Sequence, residues 1–170
     1  MYLADQYFDE MKALEAEIKA LDPADPANIV KRFGNYTELI YNYKWLGSIY
    51  DIYDESAFIL TGNGGKLNGA AELVKYTTEF LAAFPDLKLT MVDTFAVPVG
   101  TGYKLYRRFN MEGTNLGYSW YGAPTGKTLD GKKAMGQSVS TLELIGGEWL
   151  VTYEYTMFTD EWIRKVCTPG

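Results

Sequence analysis

The chain has no histidine, one cysteine and six prolines among its 170 residues. Without histidine there is no Ser-His-Asp or Cys-His nucleophile and no imidazole metal ligand. A lone thiol at Cys167 closes no internal disulfide and builds no zinc ribbon, so a metal site is not expected. Positive charge is also scarce. Sixteen Lys and Arg face 22 Asp and Glu, for a net charge of −6 and a pI near 4.7, which speaks against nucleic acid, since phosphates call for a basic face. No apolar run approaches the ~20 residues that span a bilayer, so no membrane partner is expected. The start, MYLADQYFDEMK, is acidic and lacks the apolar core of a signal peptide. The expectation is a soluble, cytoplasmic protein.

Aromatic side chains are abundant instead. Fourteen Tyr, eight Phe and four Trp make up 15% of the chain, within a hydrophobic share of 47% and a charged share of 22%. That balance is globular, and the length suits one domain at ~100–200 residues each. Tyr7, Met11, Leu14, Ile18 and Leu21 recur at spacings of four and three, which predicts a helix stopped by Asp22-Pro23. Asp25-Pro26 is an N-cap followed by proline at the first helical position. Ile29, Phe33, Tyr36 and Ile40 continue at helical spacing, with helical character expected on, in one or two pieces, through Trp45, Ile49 and Tyr53. A strand over 57–60, a glycine turn over 61–65 and a helix over 70–83 follow. Beyond Pro85 the runs 87–96, 103–112, 116–121, 133–144 and 149–158 read as strands. Helices followed by a strand meander make an α+β protein.

The glycine-rich spots carry no phosphate chemistry. Gly62-Asn63-Gly64-Gly65-Lys66 lacks the spacing and the hydroxyl of a phosphate loop. Asp51, Asp54 and Glu55 lack the alternating oxygens of a calcium loop.

One pattern is distinctive. Phe84-Pro85-Asp86-Leu87, then Arg108, Gly113-Thr114-Asn115-Leu116-Gly117, Gly122-Ala123-Pro124-Thr125-Gly126-Lys127 and Gly147-Glu148-Trp149 together resemble the SnoaL-like polyketide cyclases. These belong to the nuclear transport factor 2-like (NTF2-like) superfamily. The resemblance covers about residues 28–165 and implies a cone: a curved antiparallel β-sheet with N-terminal helices closing an apolar pocket. Residues 1–24 are then an extra helix and 25–170 the cone domain, a single domain overall. The resemblance further implies a homodimer, no cofactor, and a small hydrophobic ligand or substrate.

Residue by residue the match is mixed. Where the cyclases carry a histidine stands Lys88, and where they carry an acid on the last strand stands Met157. The strand arginine is kept as Arg108, and the family register turns Arg108, not Arg107, into the cone. Tyr36 is kept from the dehydratase members, with Tyr41 in place of their aspartate, ahead of Trp45. Proton transfer without histidine falls to carboxylates, phenols or a lysine, whose pKa burial shifts into a useful range. Candidates are Lys88, Asp93, Arg108, Glu143 and Glu154. Alternation along the last strand puts Tyr153, Tyr155 and Met157 on one face and Glu154 on the other, and the family register favours the Tyr153 face as the pocket wall.

The expected catalytic set is therefore Tyr36, Tyr41, Lys88 and Arg108, with Trp45, Tyr118, Trp120, Tyr153 and Met157 binding substrate. The expected activity is a cofactor-independent lyase, dehydratase, isomerase or aldol-type cyclase acting on an aromatic or polycyclic oxygenated substrate. The alternative is a non-catalytic ligand-binding or assembly module.

Overall fold

The N-terminal seam does form a helix. In a computed structural model, which describes residues 3–62, 64–158 and 160–169, α1 runs Leu3–Lys19. It lays Met11, Leu14 and the buried Ile18 against the core beside α2, Ile29–Tyr41. Asp25 caps the short 3-10 turn that leads into α2 by accepting from the Ala27 backbone N–H at 2.9 Å. The helical stretch comes in two pieces and stops short of Tyr53, which begins a strand. Lys44 takes a left-handed φ of 61°, which breaks the ladder, and a separate 3-10 helix spans Leu46–Asp51.

Strands β1 (Tyr53–Leu60) and β2 (Lys66–Asn68) form a hairpin closed by Thr61 N–H to Gly65 O at 2.9 Å. Asn63, at its tip, lies outside the described residues. Helix α3 spans Gly69–Ala83. Strands β3 (Lys88–Val99), β4 (Gly102–Thr114), β5 (Thr128–Leu129), β6 (Met135–Ile145) and β7 (Glu148–Phe158) follow, and α4 (Asp160–Cys167) ends the fold. The sheet order is β2-β1-β7-β6-β4-β3, with β5 on β4. Every pairing is antiparallel except β1 with β7. Gly146 and Gly147, both at positive φ, make the two-residue turn between β6 and β7, the backbone that matches strand twist.

One expected strand is absent and one helix is additional. Residues 116–121 form a loop, not a strand, held by Asn115 Nδ2 donating to Ala83 O at 3.1 Å. Gly117 presses so close to the Ala82 carbonyl that a Cβ would sit 1.8 Å from its oxygen. Helix α4 was not read in the sequence; it buries Ile163, Val166 and Cys167 against Phe80, Phe84 and Leu129. The larger core lies between the concave face of the sheet and helices α1, α2 and α3. Among the described residues no helix is long and apolar enough to cross a membrane.

Candidate active site

Strand β4 alternates Leu105, Arg107, Phe109 and Met111 inward, all four buried. That places a guanidinium among apolar neighbours, where a charge needs a partner. The partner is Glu154 of β7, whose Oε2 lies 2.6 Å from Arg107 Nη2, both side chains about 6–7% exposed. The same oxygen accepts from Tyr53 OH at 3.0 Å and from Ser140 Oγ at 2.5 Å. Its other oxygen, Oε1, accepts from Thr156 Oγ1 at 2.8 Å. Arg107 also donates to Thr37 Oγ1 at 2.9 Å and to Ser140 Oγ at 3.1 Å. Its Nε is buried without a hydrogen-bond partner among the described residues.

Thr37, Tyr53, Arg107, Glu154 and Thr156 line one side of a pocket whose other walls include Tyr41, Ile59, Leu73, Tyr76 and Phe109. Burial pushes the Tyr53 phenol well above its ordinary pKa, and the Glu154 charge adds to it. Tyr41 is raised by the same two causes in the same order, only partly offset by the Thr77 hydroxyl beside it and by Arg107. Both phenols therefore keep their protons and act as donors. Burial opposes the Arg107 charge, but Glu154 and Tyr53 outweigh it and carry the guanidinium above its usual value. The result is one carboxylate acceptor and several protonated donors at the end of an apolar recess. The recess measures about 40 Å³, well below the ~300–1,000 Å³ of pockets that hold ring-sized ligands.

No family model and no curated protein matches the sequence. Solved structures do match in three dimensions. A proposed SnoaL-like polyketide cyclase from Jannaschia sp. CCS1 superposes with a TM-score of 0.61 at 11% identity, over 86% of this chain and 99% of that one. A cystatin-like-fold protein from Caulobacter vibrioides gives 0.61 at 12% identity, over 82% and 91%. AclR of Streptomyces galilaeus, proposed to be a hydroxylase, gives 0.56 at 18% identity, over 94% and 96%. The chain has the SnoaL/NTF2-like fold. At these identities the likeness establishes the fold and leaves the chemistry to the residues.

Within this NTF2-like cone the expected site residues scatter, and only Tyr41 lines the Arg107 pocket. Arg108 points to the convex face, where it pairs with Asp93 at 2.5 Å; the regular alternation of β4 gives the inward place to Arg107. Tyr153 and Met157 are also on the convex face, 38% and 39% exposed. The reason is a bulge in β7. Thr141 pairs with Tyr153 and Leu142 with Val151, so Thr152 is the extra residue. Val151 and Glu154 consequently both face inward, and the expected faces are exchanged.

Tyr36 is buried on another side of α2, with the Arg32 guanidinium 5.3 Å from its ring. Trp45 packs on the core under Lys12. Lys88 is exposed at the start of β3, outside the cone. Tyr118 stands 78% exposed in the 115–127 loop, because the chain there is not a strand. Trp120, in the same loop, stacks on Tyr76 at 5.0 Å and so reaches the pocket only through that ring.

Arg107 and Tyr53 are absent from the candidates, and Glu154, which is among them, is expected on the outward face. For Arg107 a signal existed: it shares its parity with Leu105, Phe109 and Met111, whereas Arg108 shares Tyr106, Asn110 and Glu112. For Glu154 no local signal exists, since a bulge leaves no mark in the residues that form it.

Proposed function

We propose that the Arg107–Glu154 recess is the catalytic centre of a cofactor-independent acid–base enzyme working on a small oxygenated substrate. The observation that carries this reading is the buried ion pair ringed by phenols at the end of an apolar recess. Such a group is expensive to bury, and no packing need accounts for its position beside open space. Glu154 Oε1, with one hydrogen bond, is the available base. Tyr41 OH and the unpartnered Arg107 Nε–H are donors for a carbonyl oxygen or the oxyanion that replaces it. Because Glu154 already balances Arg107, the substrate group is a neutral acceptor such as a ketone. Proton removal beside such a carbonyl begins isomerisation, elimination and aldol closure alike. The recess in this form is too small for the polycyclic substrate that the resemblance implied, so a compact substrate fits better. The proposed unit is residues 25–170, with α1 as an extension packed on it, working as a homodimer.

The test is solvent exchange of α-protons in deuterium oxide, followed by NMR on a panel of small acyclic ketones such as acetone and butanone. At least one ketone should exchange catalytically, and Tyr41→Phe should slow it by roughly 10²–10³-fold, the usual loss for one oxyanion donor. Ketones that bind without exchange, elimination or ring closure would instead support a binding module.

A further inference from the structure

A second cavity, of about 460 Å³, opens beneath α1 and outside the cone. One wall is aromatic and apolar: Tyr7, Phe8 and Met11 of α1 and Tyr43 just past α2. Tyr43 is pinned there, its OH donating to Glu10 at 3.2 Å and its ring meeting Tyr7 edge-on at 6.3 Å. The opposite wall carries two amines, Lys44 and Lys88, and one carboxylate, Asp86. Lys44 is the one non-glycine among the described residues at positive φ, a costly conformation that the surroundings must hold.

What holds it is its own side chain. Lys44 Nζ donates to Tyr41 O at 2.5 Å and to Leu87 O, which leaves one ammonium proton unspent. Among the described residues seven pairs make salt bridges, and neither Lys44 nor Lys88 belongs to one. Glu10 holds Tyr43, and Asp86 accepts from the Thr114 N–H at 2.7 Å through Oδ1 while its charge also favours the Lys44 ammonium. Asn42 spends both ends of its amide on Leu89, fixing the start of β3 and with it Lys88. Burial draws the Lys44 pKa down to about 8, with the Asp86 charge opposing the fall and the Lys88 charge adding to it.

We propose that this cavity is a second ligand site, taking a one- or two-ring aromatic acid whose ring lies on the aromatic wall and whose anionic group bridges Lys44 and Lys88. Its volume falls in the range of ring-sized ligand pockets, ~300–1,000 Å³. The anion supplies the second negative charge that two amines beside the one Asp86 carboxylate call for, and the aromatic wall supplies stacking area for a ring. The site is independent of the Arg107 chemistry, which lies inside the cone.

The test is calorimetric titration of the full chain with naphthalene-1-sulfonate and with the neutral naphthalene-1-methanol, together with amide shift mapping. The sulfonate should saturate at one per chain and bind at least tenfold more tightly than the alcohol. Shifts should concentrate at residues 7–11, 42–44 and 85–88. Lys88→Met, at an exposed position, should weaken the sulfonate at least tenfold; Phe8→Ala should weaken both probes. Equal affinity for the two probes, indifference to Lys88→Met, or shifts gathered at 107, 138 and 154 would each overturn the proposal.

Discussion

Arg107 and Glu154 each satisfy the other, and the balance is asymmetric. Removing one member strands a buried charge, at a cost of about 3–5 kcal/mol, whereas replacing both with apolar residues is often neutral. Arg107→Met should therefore lower stability by about that amount in urea titration, and Arg107→Met with Glu154→Leu should recover most of it. A double variant no better than the single one would mean that the pair is not coupled. Lys44 offers a pH test. Burial lowers its pKa from 10.5 to about 8 in the folded chain, so between those values the unfolded chain binds the proton that the folded chain has lost. Stability contributed at this position then rises with pH through that window, and below it both states are charged and the penalty is constant. The stability of the native chain relative to Lys44→Met should rise from pH 8 to pH 10. A flat difference would show that the amine is fully solvated.

At the scale of elements, β7 decides what the pocket contains. Its bulge places two residues, Thr152 and Tyr153, between the inward Val151 and the inward Glu154. Deleting Thr152 leaves one residue between them, so strict alternation still turns Glu154 inward. Deleting Tyr155 instead reverses the faces of everything after Glu154 and turns the buried Thr156 outward. The Thr152 deletion should unfold cooperatively near the native midpoint, and the Tyr155 deletion should lose several degrees or its cooperativity; the reverse order in a thermal melt would refute this register. Helix α2 sorts its residues in the same way. Thr37 and Tyr41, four apart, share the pocket face, while Tyr36 lies beside Arg32 on another. A shift of one position around a helix, about 100°, separates a pocket residue from a packed one.

At the scale of the whole molecule, the convex face of the sheet exposes Phe95, Val97, Val139, Tyr153, Tyr155 and Met157, each 38–50% accessible. Apolar surface of that extent on a folded chain marks an interaction face, and a second copy is the proposed occupant. Light scattering at high micromolar concentration should give about twice the 19.2 kDa chain mass, and Val139→Lys should shift it toward monomer. A native species of ~19 kDa at that concentration would sink the dimer. The α+β class, the three N-terminal helices and most strands were legible because hydrophobic period and turn residues are local properties. The sequence alone also excluded histidine chemistry and a disulfide, since an absent residue is absent in any fold. Which arginine enters the cone was legible in parity and was overridden by the family register. That Glu154 meets it, and that Tyr153 and Met157 do not, was decided only in the tertiary structure. A bulge is set by how two strands pair across the sheet, and partners fourteen and forty-seven residues away from Glu154, Ser140 and Arg107, are met only when the sheet closes.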